Sequence, residues 1–204
     1  MIRRTASKIL LSAVFVFAIL CLTSQAALAQ HQDVPRVEVG PLFTMFRDTE
    51  VEENNVGVGG RITFNPHWAV GVEAEISHYP DVGAARFLGP HVDANLTTGL
   101  FGLKVTPLRT ERVAVFGKVR PGFIHARFHI PNFPGAPAPF NVNDTEFAAD
   151  WGGGVEVFPV RWLGLRFDAA DLYIRDVGDD RVPDQLIRGA THNFLFTAGF
   201  SFRF

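Results

Sequence analysis

The chain ends on a strict alternation. Phe194, Phe196, Ala198, Phe200, Phe202 and Phe204 interleave with Asn193, Leu195, Thr197, Gly199, Ser201 and Arg203. The same period of two recurs in three other stretches. Val56, Val58, Gly60, Ile62 and Phe64 oppose Asn55, Gly57, Gly59, Arg61 and Thr63. Trp68, Val70, Val72, Ala74 and Ile76 oppose Ala69, Gly71, Glu73, Glu75 and Ser77. Phe147, Ala149, Trp151, Gly153, Val155 and Val157 oppose Glu146, Ala148, Asp150, Gly152, Gly154 and Glu156. Period two marks a pleated strand with different surroundings on its two faces. Less regular stretches complete a set of eight expected strands, at 36–46, 55–64, 68–79, 92–105, 113–126, 145–157, 162–174 and 191–204.

The charges decide which face meets which surroundings. An Arg or Lys on the lipid face of a membrane barrel costs about 2–4 kcal/mol at the midplane. Turning Arg61, Lys118, Arg120 and Arg166 outward together would exceed the usual net stability of a domain. In a membrane, the apolar phase must therefore face hydrocarbon and the polar phase the interior. A spanning backbone satisfies its hydrogen bonds only in a helix or a closed barrel. Beyond residue 30 no apolar run approaches the roughly 20 residues of a helical span. The expected fold is all-β: an eight-stranded antiparallel up-and-down transmembrane barrel. A soluble lipocalin-like barrel is the rival, and needs the apolar set inside.

The interruptions alternate in length. Asn65 to His67, Thr106 to Arg112 and Phe158 to Arg161 are short, whereas 47–54, 80–91, 127–144 and 175–190 are long. Short turns on one rim and long loops on the other, with both termini at the short-turn rim, is the pattern of an outer-membrane barrel. Pro131, Pro134, Pro137 and Pro139 exclude a central strand from the longest loop. Phe64, Trp68, Phe158, Trp162 and Phe204 fall beside short turns and form the expected aromatic girdle there. Phe46, Tyr79, Phe128 and Tyr173 are the candidates for the opposite interface. The fourth strand has apolar residues on both faces (Leu96 and Leu100 against Phe101, Leu103 and Val105). In the fifth, Phe116 points inward; in the seventh, Asp171 falls in the outward phase, by a headgroup-level position or a bulge.

Residues 1–29 read as a secretory signal rather than as fold. Arg3, Arg4 and Lys8 precede a fourteen-residue apolar stretch, Ile9 to Leu22, and Ala27-Leu28-Ala29 is a small-x-small cleavage site before Gln30. The barrel domain is then 30–204. Cleavage removes Cys21, so the remainder has no thiol chemistry. It leaves 16 Lys+Arg against 21 Asp+Glu, a net charge of −5 in place of −2. That balance offers nothing to attract nucleic acid.

Candidate chemistry centres on the inward charges: Arg61, Lys118, Arg120, Arg166 and Arg203 against Glu73, Glu75, Glu146, Asp150, Glu156 and Asp168. An eight-stranded interior is about wide enough for side chains to fill, and buried charges must pair. They form a structural ion-pair plug or line a narrow path for small solutes. Glu73 and Glu75 share a face at about 6–7 Å, a spacing seen in glycoside hydrolysis; with no cleft, they read better as partners for Arg61 and Arg120. His125 and His129 lie about 13 Å apart on a strand, too far to chelate, and His78 and His91 merely bracket a loop. No metal or cofactor is expected. Ser77 and His78 are adjacent, so they point to opposite faces, a poor arrangement for a nucleophile and its base. The glycines of 57–60 lack the third glycine and the helix of a phosphate cradle. Phe87, Phe133 and Phe140 lie in long loops, where aromatics contact partners or each other.

Three features together carry a resemblance: the terminal Phe200, Phe202 and Phe204; the stretch Asp150-Trp151-Gly152-Gly153-Gly154-Val155-Glu156; and Leu165-Arg166-Phe167-Asp168. The chain resembles the small eight-stranded outer-membrane barrels, such as the outer-membrane protein A transmembrane domain and the opacity-type surface proteins. The resemblance implies a location in the bacterial outer membrane, contact with its lipid, and Phe200, Phe202 and Phe204 as the signal read by the barrel assembly machinery. It also implies a non-enzymatic role, in structural support or in surface interaction through the long loops. The alternatives are a low-conductance pore and a lipid A-modifying enzyme.

Overall fold

The computed structural model describes residues 34–47, 54–80, 93–130, 140–175 and 190–204. The expected signal segment, with Ala27, Ala29 and Gln30, lies outside them. So do the middles of the long loops, with Phe87, His91 and Phe133.

Eight strands close into one antiparallel barrel in chain order. They are β1 (Val37–Arg47), β2 (Asn54–His67), β3 (Val70–Pro80), β4 (Asp93–Arg109), β5 (Val113–Ile130), β6 (Phe140–Val160), β7 (Leu163–Arg175) and β8 (Ala190–Arg203). β8 closes on β1, where the Phe204 N–H donates to the Val37 carbonyl at 2.9 Å. Every other adjacent pair joins strands consecutive in the chain, which suits a sequence with no long crossover segment.

Prolines fall where the ladders can lose a donor. Pro66, Pro107 and Pro159 sit in three register shifts at the short-turn rim, between Phe64 and His67, Val105 and Leu108, and Val157 and Val160. A bulge leaves a residue unpaired, so the missing N–H costs little there. The β4 strand therefore runs through Pro107 to Arg109, and the expected turn from Thr106 shrinks to Thr110–Arg112. Its Thr110 hydroxyl accepts the Val113 N–H at 3.0 Å. At the other rim, β5 and β6 stay paired out to Ile130 and Phe140. Their ladder takes both ends of the expected loop 127–144 and stops at the proline cluster.

The wall separates two environments. Outward side chains are apolar and accessible, as in Phe101, 60 % exposed, Val58, Ile76, Val119 and Phe200. Inward ones are buried, and in the half near the short turns they are charged. Gly152 and Gly154 show how tightly the wall curves. A Cβ at either would stand 2.1 Å from the Ala169 carbonyl oxygen or 2.2 Å from that of Phe167. Only glycine permits that approach of β6 to β7.

Candidate functional site: the filled lumen

Arg120 is the centre of the lumen and has no accessible surface. β5 places it opposite Asp150 of β6. Its Nε and Nη2 donate to the two oxygens of Asp150 at 2.9 and 2.6 Å. Its Nη1 donates to Glu73 at 2.7 Å and to Glu75 at 2.8 Å. The two glutamates thus share one guanidinium donor. This planar fork reads three carboxylates at once, which a lysine ammonium would hold less specifically.

Glu73 is the second hub. It accepts from Arg120, from the Thr63 hydroxyl at 3.2 Å, and from both Nη atoms of Arg166. Arg166 also donates through Nε to Asp168 at 3.0 Å, and its guanidinium lies over the Phe116 ring at 3.9 Å. Lys118 bridges Asp168 and Asp150. Arg61 lies 3.6 Å from Glu75 and 3.5 Å from Asp168. Nearer the short turns, Lys104 binds Glu156 and stands 3.7 Å from Glu38. Arg109 and Arg203 reach the same Glu38 at 3.5 and 3.6 Å. Pairing at several points offsets the cost of enclosing so many charges.

Farther from the short turns the filling changes. Phe46, Tyr79, Leu96, Leu100, Ile124, Leu172 and Leu195 form a buried apolar cluster with Ala148 and Ala170. Phe46 and Tyr79 meet edge to face at 5.1 Å, and the hydroxyls of Tyr79 and Thr44 lie 3.0 Å apart. Both rings point inward, so the expectation of an interfacial role for them is wrong. They share the inward phase of Thr44 and Ser77, and nearness to a loop says nothing about phase. The side chain of Phe128 lies outside the described set.

Two further expectations need correction. Phe158 is 3 % exposed and inward, not part of the girdle. It continues the inward phase of Glu156 and lies beneath the guanidiniums of Arg203, at 3.8 Å, and Arg109, at 5.8 Å. Glu146 also has the inward phase, but it is only half-buried. Ala148 and the apolar cluster separate it from the level of Asp150, so it stands beyond the central network. Lys104, Glu38 and Arg109 belong to the charged filling and escaped the sequence reading. Lys104 shares the parity of Leu100 and Gly102, and that parity is its sequence signal; Arg109 falls within the expected turn Thr106 to Arg112, where no phase is assigned.

Phe64, Trp68, Trp162 and Phe204 are outward or exposed at the short-turn rim, with Trp162 stacked on Phe202 at 6.3 Å. Phe200 and Phe202 are outward along β8. On the opposite part of the outer wall, Trp151, Tyr173 and His192 form an aromatic group with ring separations of 5.3–6.2 Å. Asp171 is outward with no bulge in β7 near it, and both its oxygens contact His192 Nδ1, at 3.1 and 3.0 Å. Among the described residues the only serines, Ser77 and Ser201, face inward, away from any lipid substrate.

The closed chain-order barrel has counterparts of known structure. Neisserial surface protein A matches over 82% of this chain and 96% of its own, with 13% identity and a TM-score of 0.55. The fold is that of the small eight-stranded outer-membrane barrels. The Yersinia pestis attachment invasion locus protein Ail aligns with 14% identity over 82% of this chain and 96% of its own, at a TM-score of 0.48. The N-terminal barrel domain of Pseudomonas aeruginosa OprF aligns with 17% identity over 82% and 97%, at 0.47. No protein-family model and no curated sequence matches the chain.

Proposed function

We propose that this small eight-stranded barrel is an integral outer-membrane protein with a sealed lumen, acting at its extracellular rim. Its role is to support the membrane or to contact surface partners through 47–54, 80–91, 127–144 and 175–190. The observation that carries this reading is the inverted polarity of the wall. Val58, Ile76, Phe101, Val119 and Phe200 face out, while Arg61, Lys118, Arg120 and Arg166 are enclosed. In water so large an apolar surface would drive association; against hydrocarbon it is the required surface.

Two fillings in series support a closed interior. Arg120 is held by three carboxylates, and an apolar plug lies between it and the long-loop rim. An ion would have to shed water at the first and again at the second. Phe200, Phe202 and Phe204, on the strand that closes the barrel, remain the proposed signal for the assembly machinery.

The test has two parts. Unboiled protein should migrate differently from boiled protein on a gel, and should fractionate with the outer membrane. Purified protein in planar bilayers should carry no steady current. A current that Arg120→Ala or Glu75→Gln alters would replace this reading with a pore.

A further inference from the structure

Every inward cation in the charged filling has a carboxylate within 4.0 Å. The outward arginines at the long-loop end of the wall differ. Arg47, Arg127 and Arg175 are exposed, four residues beyond Phe43, Phe123 and Asp171; Arg47 and Arg175 end the outward rows of β1 and β7, and Arg127 is followed on that of β5 by His129. Among the described residues none of the three has a carboxylate partner. Two strand carboxylates have the outward phase: Asp171, engaged by His192, and Asp93 at the start of β4, whose side chain lies outside the described set.

Their height follows from strand geometry. A strand tilted near 45° gains about 2.4 Å of depth per residue. From Leu163 to Arg175 is about 29 Å, against an apolar band of about 25 Å. By the same rise Arg47 stands about 24 Å beyond Val37 and Arg127 about 34 Å beyond Val113, so the three guanidiniums bracket the edge of the hydrocarbon, near headgroup level.

Arg127 stands in a built surrounding. Its Nε donates to His125 Nε2 at 3.1 Å, and His125 Nδ1 lies 2.6 Å from the Thr145 hydroxyl. Because Nε2 accepts, Nδ1 carries the proton and donates to Thr145. One strand over, Thr97 pairs with His125 in register and its hydroxyl lies 3.1 Å from His78 Nδ1. Asn95, exposed, pairs with Arg127. The nearby Asp144 has the inward phase and is occupied by the Thr145 N–H, at 2.7 Å. The fork of Arg127 is thus oriented through Nε on an exposed side chain.

We propose that Arg127, set by His125 and Thr145 and flanked by Asn95 and His78, binds the phosphate monoester of an outer-leaflet lipid headgroup, with Arg47 and Arg175 as further contacts around the wall. A guanidinium fork matches phosphate oxygens in geometry and charge. The proposal rests on the membrane reading above, because only a lipid-facing wall presents these side chains to headgroups.

The test is native mass spectrometry of the full barrel released from phosphatidylcholine vesicles that contain a minority of phosphatidic acid. Phosphatidic acid should be retained over phosphatidylcholine by about fivefold or more, the effect of one well-placed arginine near a charged surface. Arg127→Gln should bring the ratio close to parity, Arg127→Lys should keep part of it, and His125→Gln should lower it without abolishing it. Arg112→Gln, in a turn at the other rim, should leave most of it. Equal losses in Arg127→Gln and Arg112→Gln would reduce the effect to net charge and overturn the site. So would displacement of the lipid by inorganic phosphate at matched concentration, or wild-type retention with no preference. Heat-shifted gel mobility separates the two levels. A chain that never forms a barrel in lipid counts against the membrane reading itself, whereas a folded barrel without lipid preference counts against this site alone.

Discussion

The lumen is filled twice, by opposite chemistry, on one continuous wall. Around Arg120 and Glu73 the inward residues are ionised and tied to one another by charge-assisted hydrogen bonds. Around Tyr79, Leu100 and Leu195 they are mostly apolar and, apart from the Tyr79–Thr44 hydroxyl contact, touch by packing. Both fillings come from the same inward phase of the same strands. The difference shows that a barrel interior has to be full rather than polar. A charged filling is specified by partner geometry and fails when one partner is lost. An apolar filling is specified by volume and fails in proportion to the space emptied.

Removing Arg120 breaks this contrast most severely. Arg120→Ala strips donors from Glu73, Glu75 and Asp150 together, and breaking a buried pair on one side costs about 3–5 kcal/mol. The expected result is a large drop in the denaturant midpoint of the barrel in detergent, followed by tryptophan fluorescence. Bilayer current should remain absent, because the apolar filling is intact. Arg120→Met with Asp150→Leu should recover part of the loss, since well-packed apolar groups often replace a buried ion pair without penalty. Leu195→Ala tests the other filling. Leu195 is almost fully buried in the apolar cluster, and truncation there should cost about 2–5 kcal/mol according to how far the site collapses. A neutral Leu195→Ala would mean that the apolar filling is not packed.

Much of this was legible because period two is a strong signal wherever the two faces differ in polarity. β2, β3, β6 and β8 have such faces, and their phases follow from residues such as Arg61, Glu73, Asp150 and Arg203. The apolar filling erased the signal elsewhere. On β4, Leu96 and Leu100 face in while Phe101 and Leu103 face out, so hydropathy alone could not place Lys104 in the lumen. Phe46, Tyr79 and Phe158 were located by nearness to a turn when their phase was the better guide. The convergence of Lys104, Arg109 and Arg203 on Glu38 joins β4 and β8 to β1. Local pattern cannot reveal contacts so distant in sequence, because they come from barrel closure and stagger.

Phe158 sets an apolar ring within the charged filling, beneath two guanidiniums. Phe158→Leu keeps most of the buried volume and removes the ring face. The loss should be about 1–2 kcal/mol, the strength of desolvated cation–π contacts. Measured beside Leu195→Ala, it separates volume from ring electrostatics at the charged end of the lumen.

The smallest effect belongs outside the lumen. Asp171 and His192 pair on the outer wall with side chains 39% and 57% exposed. Exposed pairs contribute about 0–1 kcal/mol, so Asp171→Asn should hardly move the unfolding midpoint in detergent, where the surroundings are wet. The comparison with Arg120→Ala is informative because both remove one member of a paired polar contact, one outside the wall and one inside. If Asp171→Asn were as damaging as Arg120→Ala, Asp171 would be shielded from water by hydrocarbon rather than standing at headgroup level. The apolar band would then extend past Trp151 and Tyr173, and the boundary drawn through Arg127 and Arg175 would have to move outward with it.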